Sequence, residues 1–536
     1  AKNTSFKCDG ISKAINAGKL IDYKDLKTCF ESIPFNAAKA DKPNKNPPNG
    51  FTYQPINIID ELKSLRKKKF KSDYDFKIAL RNLIFKLKDG HTRFESSCYQ
   101  DFSYQQNLSL YSVITTDKKK RQKQVFNDTE DPSNNDCEVT EIEGEPALQV
   151  IIEFANNSIA QSKDLGVRFN MALAPSNGLF APQFTSRIDL PENSIITYKL
   201  LCPHKKPFLL KRKWSITFSD KVDFSDICLN QDTLPNNNVA SSRNKDEVST
   251  SSDKVTKLIS RKVSKLNNNK QKIAHAKLID DNFEASFYIL NDEKNVGVAT
   301  ITGEDADVVE FSLQDGFEEF KKRNVTKLIL DFSNNDGGDV TVPLFINSIL
   351  FSPKQPNSYP TRININGFTV PVIKKNFKKR IPDPLNLYDP NNYLVFPSGD
   401  RFSSPDQFIG SRKTHTSNLY LNALTSDELK SIKDTPHFPW KSDDIIILTN
   451  GYCASACALV TLFFSEIHKV ETIAVGGLLD NNLSFSTFPG GQFTSSNLIL
   501  DYAGDHAADV SFPNSLLLAI RKSVSFFKNN TEKEVL

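Results

Sequence analysis

Ile446-Ile447-Leu448-Thr449-Asn450-Gly451-Tyr452-Cys453-Ala454-Ser455-Ala456-Cys457-Ala458-Leu459 is the stretch on which the fold turns. An apolar run from Asp444 to Leu448 ends at a Gly-containing turn, and an Ala/Leu/Val-rich helix then runs to Phe464. A short apolar run bounded by turn residues reads as a strand, and strand, turn and helix together read as a βα unit. The pattern recurs upstream, where a strand at Lys327–Phe332 leads into Ser333-Asn334-Asn335-Asp336-Gly337-Gly338 and a helix at Val340–Leu350. Val296–Ile301 and Glu471–Val475 read as further strands. Repeated units of this length predict an α/β domain over 273–536 with a parallel sheet at its centre.

Outward from that domain the patterning changes. Residues 232–272 are rich in Asn, Ser, Lys and Asp and almost free of aromatics, the composition of an exposed linker or disordered loop. Before it, 108–231 carries short β-type runs at Leu110–Thr115, Ser194–Leu201 and Ser215–Phe218 around one helix near Ala147–Ala160, and reads as a small β-rich domain. Residues 1–107 read as helical segments with a Pro/Asn-rich interruption at 42–50. Ile59, Leu62, Leu65, Phe76, Leu80, Leu83, Ile84 and Leu87 keep helical spacing over 57–87, and Gly90 is expected to stop that helix and present His91 just beyond it.

The 536 residues suffice for three or four domains and a core that needs no metal. With 38% hydrophobic and 25% charged residues, the chain falls outside the disordered, collagen-like and coiled-coil classes. The apolar runs Ala456–Phe464 and Ser515–Ile520 fall short of the ~18 residues of a spanning helix, so no membrane partner is expected. A net charge of +4, with basic runs scattered as solvated faces, argues against a nucleic-acid partner. The chain begins at Ala1, and its one methionine is Met171, which a removed signal peptide would explain. Eight cysteines and N-x-S/T sequons at Asn3, Asn107, Asn127, Asn156, Asn324, Asn482 and Asn529 lead to the expectation of a secreted glycoprotein with disulfides. Cys98, Cys137, Cys202 and Cys228 alone allow about three pairings.

Ser455 is the candidate with most chemistry behind it. At the first turn of a helix, free N–H groups and the dipole favour an attacking alkoxide and the oxyanion that follows. Serine is equally a good N-cap, and local sequence does not separate the two. Of the seven histidines, only His91 stands in a tight polar turn after a helix, although such histidines are often merely solvated. Gly337 and Gly338 at a strand's carboxyl end could offer bare N–H groups, or could form an ordinary turn. Walker, dinucleotide and zincin motifs are absent, so no cofactor and no metal is expected. Cys453 and Cys457 are read as buried thiols or as cysteines bonded to partners elsewhere.

The ordered set K-D-G-H-T-R-F at 88–94, L-I-L-D-F-S-N-N-D-G-G at 328–338, the stretch at 446–459 and A-V-G-G at 474–477 resembles the tail-specific protease superfamily. More narrowly, it is similar to fungal secreted members related to chlamydial protease-like activity factor. Cys8, Cys29 and S-I-P-F-N at 32–36 resemble the amino-terminal segment of those proteins. E-G-E-P-A at 143–147 and V-R-F-N at 167–170 resemble their modified PDZ-like domain.

The resemblance implies a ClpP/crotonase-like α/β catalytic core with an N-terminal helical segment and a PDZ-like β-rich domain. It implies a secreted serine endopeptidase acting on a protein or peptide substrate. Ser455 would be the nucleophile and His91 its general base, with N–H groups of Gly337, Gly338 and Ala456 as the oxyanion hole. Bacterial members use a serine–lysine dyad, whereas here no lysine lies between Lys469 and Lys522, which fits the histidine variant. The carboxylate that orients the histidine is unmatched; Asp501, Asp505, Asp509, Glu532 and Glu534 are candidates, the last two preferred. The rival expectation is a catalytically silent ligand- or peptide-binding protein on the same fold. Oligomeric state is not legible in the sequence.

Overall fold

The computed structural model describes residues 21–32, 56–94, 99, 102–115, 120–173, 183–218, 275–281, 284–351, 361–363, 365, 369–379, 388–410, 416–423 and 437–487. It also describes the backbone of strands at 493–495, 516–519, 523–528 and 531–534. The segment 232–272, Cys8, Cys98, Cys228, Asp501, Asp505 and Asp509 lie outside the described residues.

Three helices open the described chain: α1 (Tyr23–Ser32), α2 (Ile58–Lys67) and α3 (Asp73–Phe85). The apolar pattern over 57–87 thus divides into two helices. Asn57 caps α2, and Ser72 Oγ caps α3 by accepting from Asp75 N–H at 3.1 Å, while the basic run 66–71 interrupts the apolar stripe between them. Ile58, Leu65, Phe76, Leu83 and Ile84 form one small core with Phe94 of the short strand β1 (Arg93–Phe94).

A β-rich region follows. Strand β2 (Phe102–Gln105) precedes β3 (Leu108–Ile114), β4 (Gln122–Asp128) and β5 (Glu138–Ile142); then come helices α4 (Ala147–Ser158) and α5 (Leu165–Leu173). Strands β6 (Ile195–Leu201), β7 (Phe208–Lys213) and β8 (Ser215–Phe218) complete it. The sheet runs β3-β4-β5-β6-β7, all antiparallel. Strand β8 pairs instead with β2, so a second sheet joins residues on both sides of position 107. Helix α5 has no counterpart in the sequence reading, because V-R-F-N at 167–170 is too short to show a helical period. Cys137 and Cys202, at the paired ends of β5 and β6, form a disulfide.

The α/β domain is built on one six-stranded sheet in the order β9 (Ala276–Asp281), β10 (Ala285–Leu290), β11 (Val296–Ile301), β12 (Lys327–Asp331), β13 (Ile445–Thr449), β14 (Glu471–Ala474). Strands β11 to β14 are parallel, as the βα pattern predicts, while β9 and β10 extend the sheet antiparallel. Helices α6 (Ala306–Lys322), α7 (Thr341–Leu350) and α8 (Ala456–Glu466) make the crossovers, with α7 against both neighbours. Gly316 lets α6 approach the sheet, since a Cβ there would lie 2.3 Å from the Phe287 ring. Phe317 and Phe320 pack against that ring, Phe438 and Trp440 pack against Phe317, and Trp440 Nε1 donates to Val325 O at 3.1 Å. In-register parallel strands bring the carboxyl ends of β12 and β13 side by side, where ligand sites of α/β sheets lie.

The C-terminal strands return to the start of the chain. Leu516 and Leu517 pair with Phe94 and Arg93, and Thr361 and Arg362 pair with Val524 and Ser523. No helix among the described residues is long and apolar enough to cross a membrane.

Replacing both partners of the 137–202 bridge (Cys137→Ala with Cys202→Ala) frees a loop of sequence separation 65 and is expected to cost up to about 4 kcal/mol. Denaturant unfolding of the two proteins checks it; an unchanged midpoint refutes it.

Candidate active site

Ser455 is placed by the turn between β13 and α8. The chain leaves Thr449, passes Gly451 at φ 83°, and reaches Ser455 at φ 55° and ψ −116°. A non-glycine residue in this region costs on the order of 1–3 kcal/mol, so its surroundings must hold it there. Buried Asn335 supplies much of the restraint. Its N–H donates to Tyr452 O at 3.0 Å, its O accepts from Ala454 N–H at 2.9 Å, and its Nδ2 donates to Ile301 O at 3.0 Å. On the far side Thr487 N–H donates to Cys453 O at 3.0 Å. Cys453 and Cys457 are bonded to each other across the turn, which corrects the reading of thiols or remote partners. The bend at Ser455 brings their Cα atoms to 5.2 Å, within disulfide range.

His91 comes from the opposite end of the sequence. Helix α3 ends at Phe85, and the left-handed residue that turns the chain is Lys88, at φ 51°, rather than Gly90. Asp89 then folds the loop, its Oδ1 accepting from His91 N–H at 3.0 Å and its Oδ2 from the Thr92 hydroxyl at 3.3 Å. The buried imidazole meets the serine: His91 Nε2 lies 2.8 Å from Ser455 Oγ. Ser455 occupies the N-cap position of α8, yet its side chain makes no cap hydrogen bond. An imidazole nitrogen at this distance can take the hydroxyl proton as the oxygen attacks.

Gly337 and Gly338 lie beside them at the carboxyl end of β12. A Cβ on Gly337, which has φ 82°, would sit 2.4 Å from Ala454 O and 2.8 Å from Ser455 Cβ. A Cβ on Gly338 would sit 2.3 Å from Glu304 O. The two turns therefore touch backbone to backbone, which only glycine permits. The Gly337 N–H is already turned to Asn335 Oδ1 at 2.7 Å. No partner for the N–H of Gly338 or of Ala456 is found among the described residues.

Glu532 and Glu534 lie on a strand paired with 523–528, and Asp501, Asp505 and Asp509 lie outside the described residues. Sequence reading missed Asn335 and Asn170. The first had a signal, an Asx turn in N-D-G two residues before a glycine. The second did not: Asn170 Nδ2 donates to Asn450 O at 2.6 Å and its Oδ1 accepts from Gly477 N–H at 2.6 Å, contacts across some 300 residues.

Mature CPAF, known from its crystal structure, is similar to this chain over 89% of its length and 85% of that chain, with a TM-score of 0.50 and 14% identity. The chain has the fold of the tail-specific protease superfamily. Two curated fungal relatives agree with that assignment, both named peptidase S41 family proteins. One, ustP of Aspergillus flavus, is 27% identical over 180 residues, 30% of this chain and 37% of the relative. The other, from Diaporthe leptostromiformis, is 26% identical over 225 residues, 37% of this chain and 34% of the relative. The chain matches only about a third of the length of each. No family model matches it.

Within this superfamily fold one buried acid stands against the glycine turn. Glu304 is 1% exposed, neither carboxyl oxygen has a partner among the described residues, and its backbone O accepts from Asp339 N–H at 2.7 Å. Burial, and then the charges of Glu284 and Asp339, push its carboxyl well above the usual range.

Two outcomes are expected. Gly337→Ala, with φ positive and no room for a methyl, is expected to cost more than ~1 kcal/mol and to displace the Ser455 turn; unfolding midpoints and a crystal structure of the variant check it. For Glu304, a carboxyl raised on folding lends stability below its ordinary value of 4.5 and loses it as pH rises through the raised value. Glu304→Gln removes that dependence, so the melting-temperature difference, variant minus wild type, is expected to grow from pH 4.5 to 8; a constant difference refutes it.

Proposed function

We propose that this protein is a serine endopeptidase in which Ser455 is the nucleophile and His91 the general base. The observation that carries the reading is the 2.8 Å contact of His91 Nε2 with a serine hydroxyl that caps nothing. Ser455 Oγ attacks a peptide carbonyl while its proton passes to His91. The imidazolium then returns that proton to the leaving amine, and water repeats the sequence to release the acyl group. The N–H groups of Gly338 and Ala456 hold the oxyanion, supported by the dipole of α8. Gly337, whose N–H is engaged by Asn335, serves by close approach instead.

The orienting carboxylate belongs to Glu532 or Glu534 in this reading. Support comes from the pairing of Leu516 and Leu517 with β1, two residues beyond His91, which brings the C-terminal chain back to the histidine's side of the molecule. The organisation is an amino-terminal part over 1–107, a PDZ-like domain over 108–231, a linker over 232–272 and a catalytic domain over 273–536. The PDZ-like domain captures an extended peptide along a sheet edge. Secretion fits the disulfides Cys137–Cys202 and Cys453–Cys457, since such bonds persist in oxidising compartments, and surface sequons would then carry glycans.

A fluorophosphonate probe is expected to label Ser455, read by peptide mass spectrometry. Ser455→Ala abolishes the adduct, and His91→Ala slows labelling by at least ~10³-fold. Whichever of Glu532→Gln and Glu534→Gln removes the orienting acid lowers kcat by ~10⁴. Absence of any adduct on the folded wild type sinks the proposal.

A further inference from the structure

We propose that Lys88 is a positioning residue for His91, holding the histidine's loop against the carboxyl end of α4 so that the imidazole meets Ser455. The inference rests on the reading of His91 as the base of Ser455 and adds what sets the distance between them.

Lys88 is 4% exposed, although lysine is rarely buried without a reason. Its Nζ donates to Asn156 O at 2.5 Å and to Ile159 O at 2.8 Å, 68 and 71 residues away. Those carbonyls belong to the end of α4, where the last acceptors of a helix lack partners and a cation is favoured by the dipole. Lys88 is also the residue whose left-handed backbone turns the chain toward Asp89 and His91. One residue therefore both bends the loop and anchors it.

The anchor point is shared with the serine. Two residues beyond Ile159, Gln161 O accepts from the Thr487 hydroxyl at 2.5 Å, and Thr487 N–H donates to Cys453 O in the Ser455 turn. Further along, Asp164 Oδ2 accepts from Ser484 N–H at 2.8 Å. The short connection between α4 and α5 thus grips the histidine loop through Lys88 and the serine turn through Thr487. It acts as a common reference for two groups that must stand one hydrogen bond apart. Arg168 stiffens this connection from within, its guanidinium donating to Ala155 O at 3.2 Å, Ser162 O at 2.7 Å and Asn156 Oδ1 at 3.0 Å.

The tether does not depend on charge. Burial, then the neighbouring Arg168, pulls the Lys88 ammonium down to about 7. A neutral amine still carries two N–H bonds, enough for two carbonyls.

The test uses the full chain. In Lys88→Met the stem is kept and the donors are lost. The rate of Ser455 labelling by a fluorophosphonate, and kcat on an unfolded protein substrate, are expected to fall ~10- to 100-fold with little change in KM, the scale of a reacting group misplaced by about 1 Å. A crystal structure of the variant is expected to show His91 Nε2 beyond hydrogen-bond reach of Ser455 Oγ. The paired Cys137→Ala and Cys202→Ala variant, which loses stability away from the α4–α5 connection, is the structural control and is expected to label near the wild-type rate. Lys88→Met with the His91–Ser455 contact and the labelling rate intact overturns the proposal. If that variant does not fold, Lys88→Arg decides: tether and His91–Ser455 contact must be kept together or lost together, and a broken tether beside an intact contact overturns it. A wild type that never labels Ser455 refutes the peptidase reading, while the crystal structures still decide the role of Lys88.

Discussion

The hydrogen bond between His91 Nε2 and Ser455 Oγ joins residues 364 positions apart, and the architecture around it supplies the precision such a contact needs. An imidazole misplaced by about 1 Å is a poor partner for a hydroxyl, so both ends must be held by something stiffer than their own loops. The serine end is held by a parallel sheet. Strands β12 and β13 pair in register, which brings the two turns at their carboxyl ends into contact, and a methyl group on Gly337 would separate them. The strain at Ser455 persists because Asn335, Thr487 and the 453–457 bridge each fix a different side of the turn.

The β-rich region is part of this arrangement rather than an appendage to it. Tyr452 and Ala454, which flank Cys453, are buried in the same core as Phe169, Ile151 and Tyr198. Asn170 of α5 bonds to Asn450 and Gly477 at the ends of β13 and β14, and Gln122 of β4 bonds to Gly477 O and Leu479 N–H. Any force that moves α4 and α5 therefore reaches both the histidine loop and the serine turn.

Buried ionisable groups stand beside both the histidine loop and the glycine turn. Lys88 lies under the histidine loop and Glu304 under the glycine turn, each shifted toward its neutral form by burial and by a like charge nearby. Low dielectric around these side chains strengthens the hydrogen bonds nearby and disfavours the charged form of each.

Local chemistry made part of the molecule legible from sequence. The apolar runs at 296–301, 327–332, 444–448 and 471–475 are strands within a residue or two, because buried parallel strands are continuous apolar segments. Ser455 after a glycine turn, and His91 after a helix, were visible for the same reason, since turn and helix signals act over a few residues. Three features were not visible. The left-handed turn falls at Lys88 rather than Gly90, and the α4 carbonyls that hold its side chain lie 68 and 71 residues away. The bond between Cys453 and Cys457 forms because the strained backbone at Ser455 folds the turn back on itself. The capture of the Gly337 N–H by Asn335 is set where the turns after β12 and β13 pack against each other. Sequence determined which groups could react, and tertiary packing decided which of them touch, because contact between distant residues is set by the whole core and not by their neighbours in the chain.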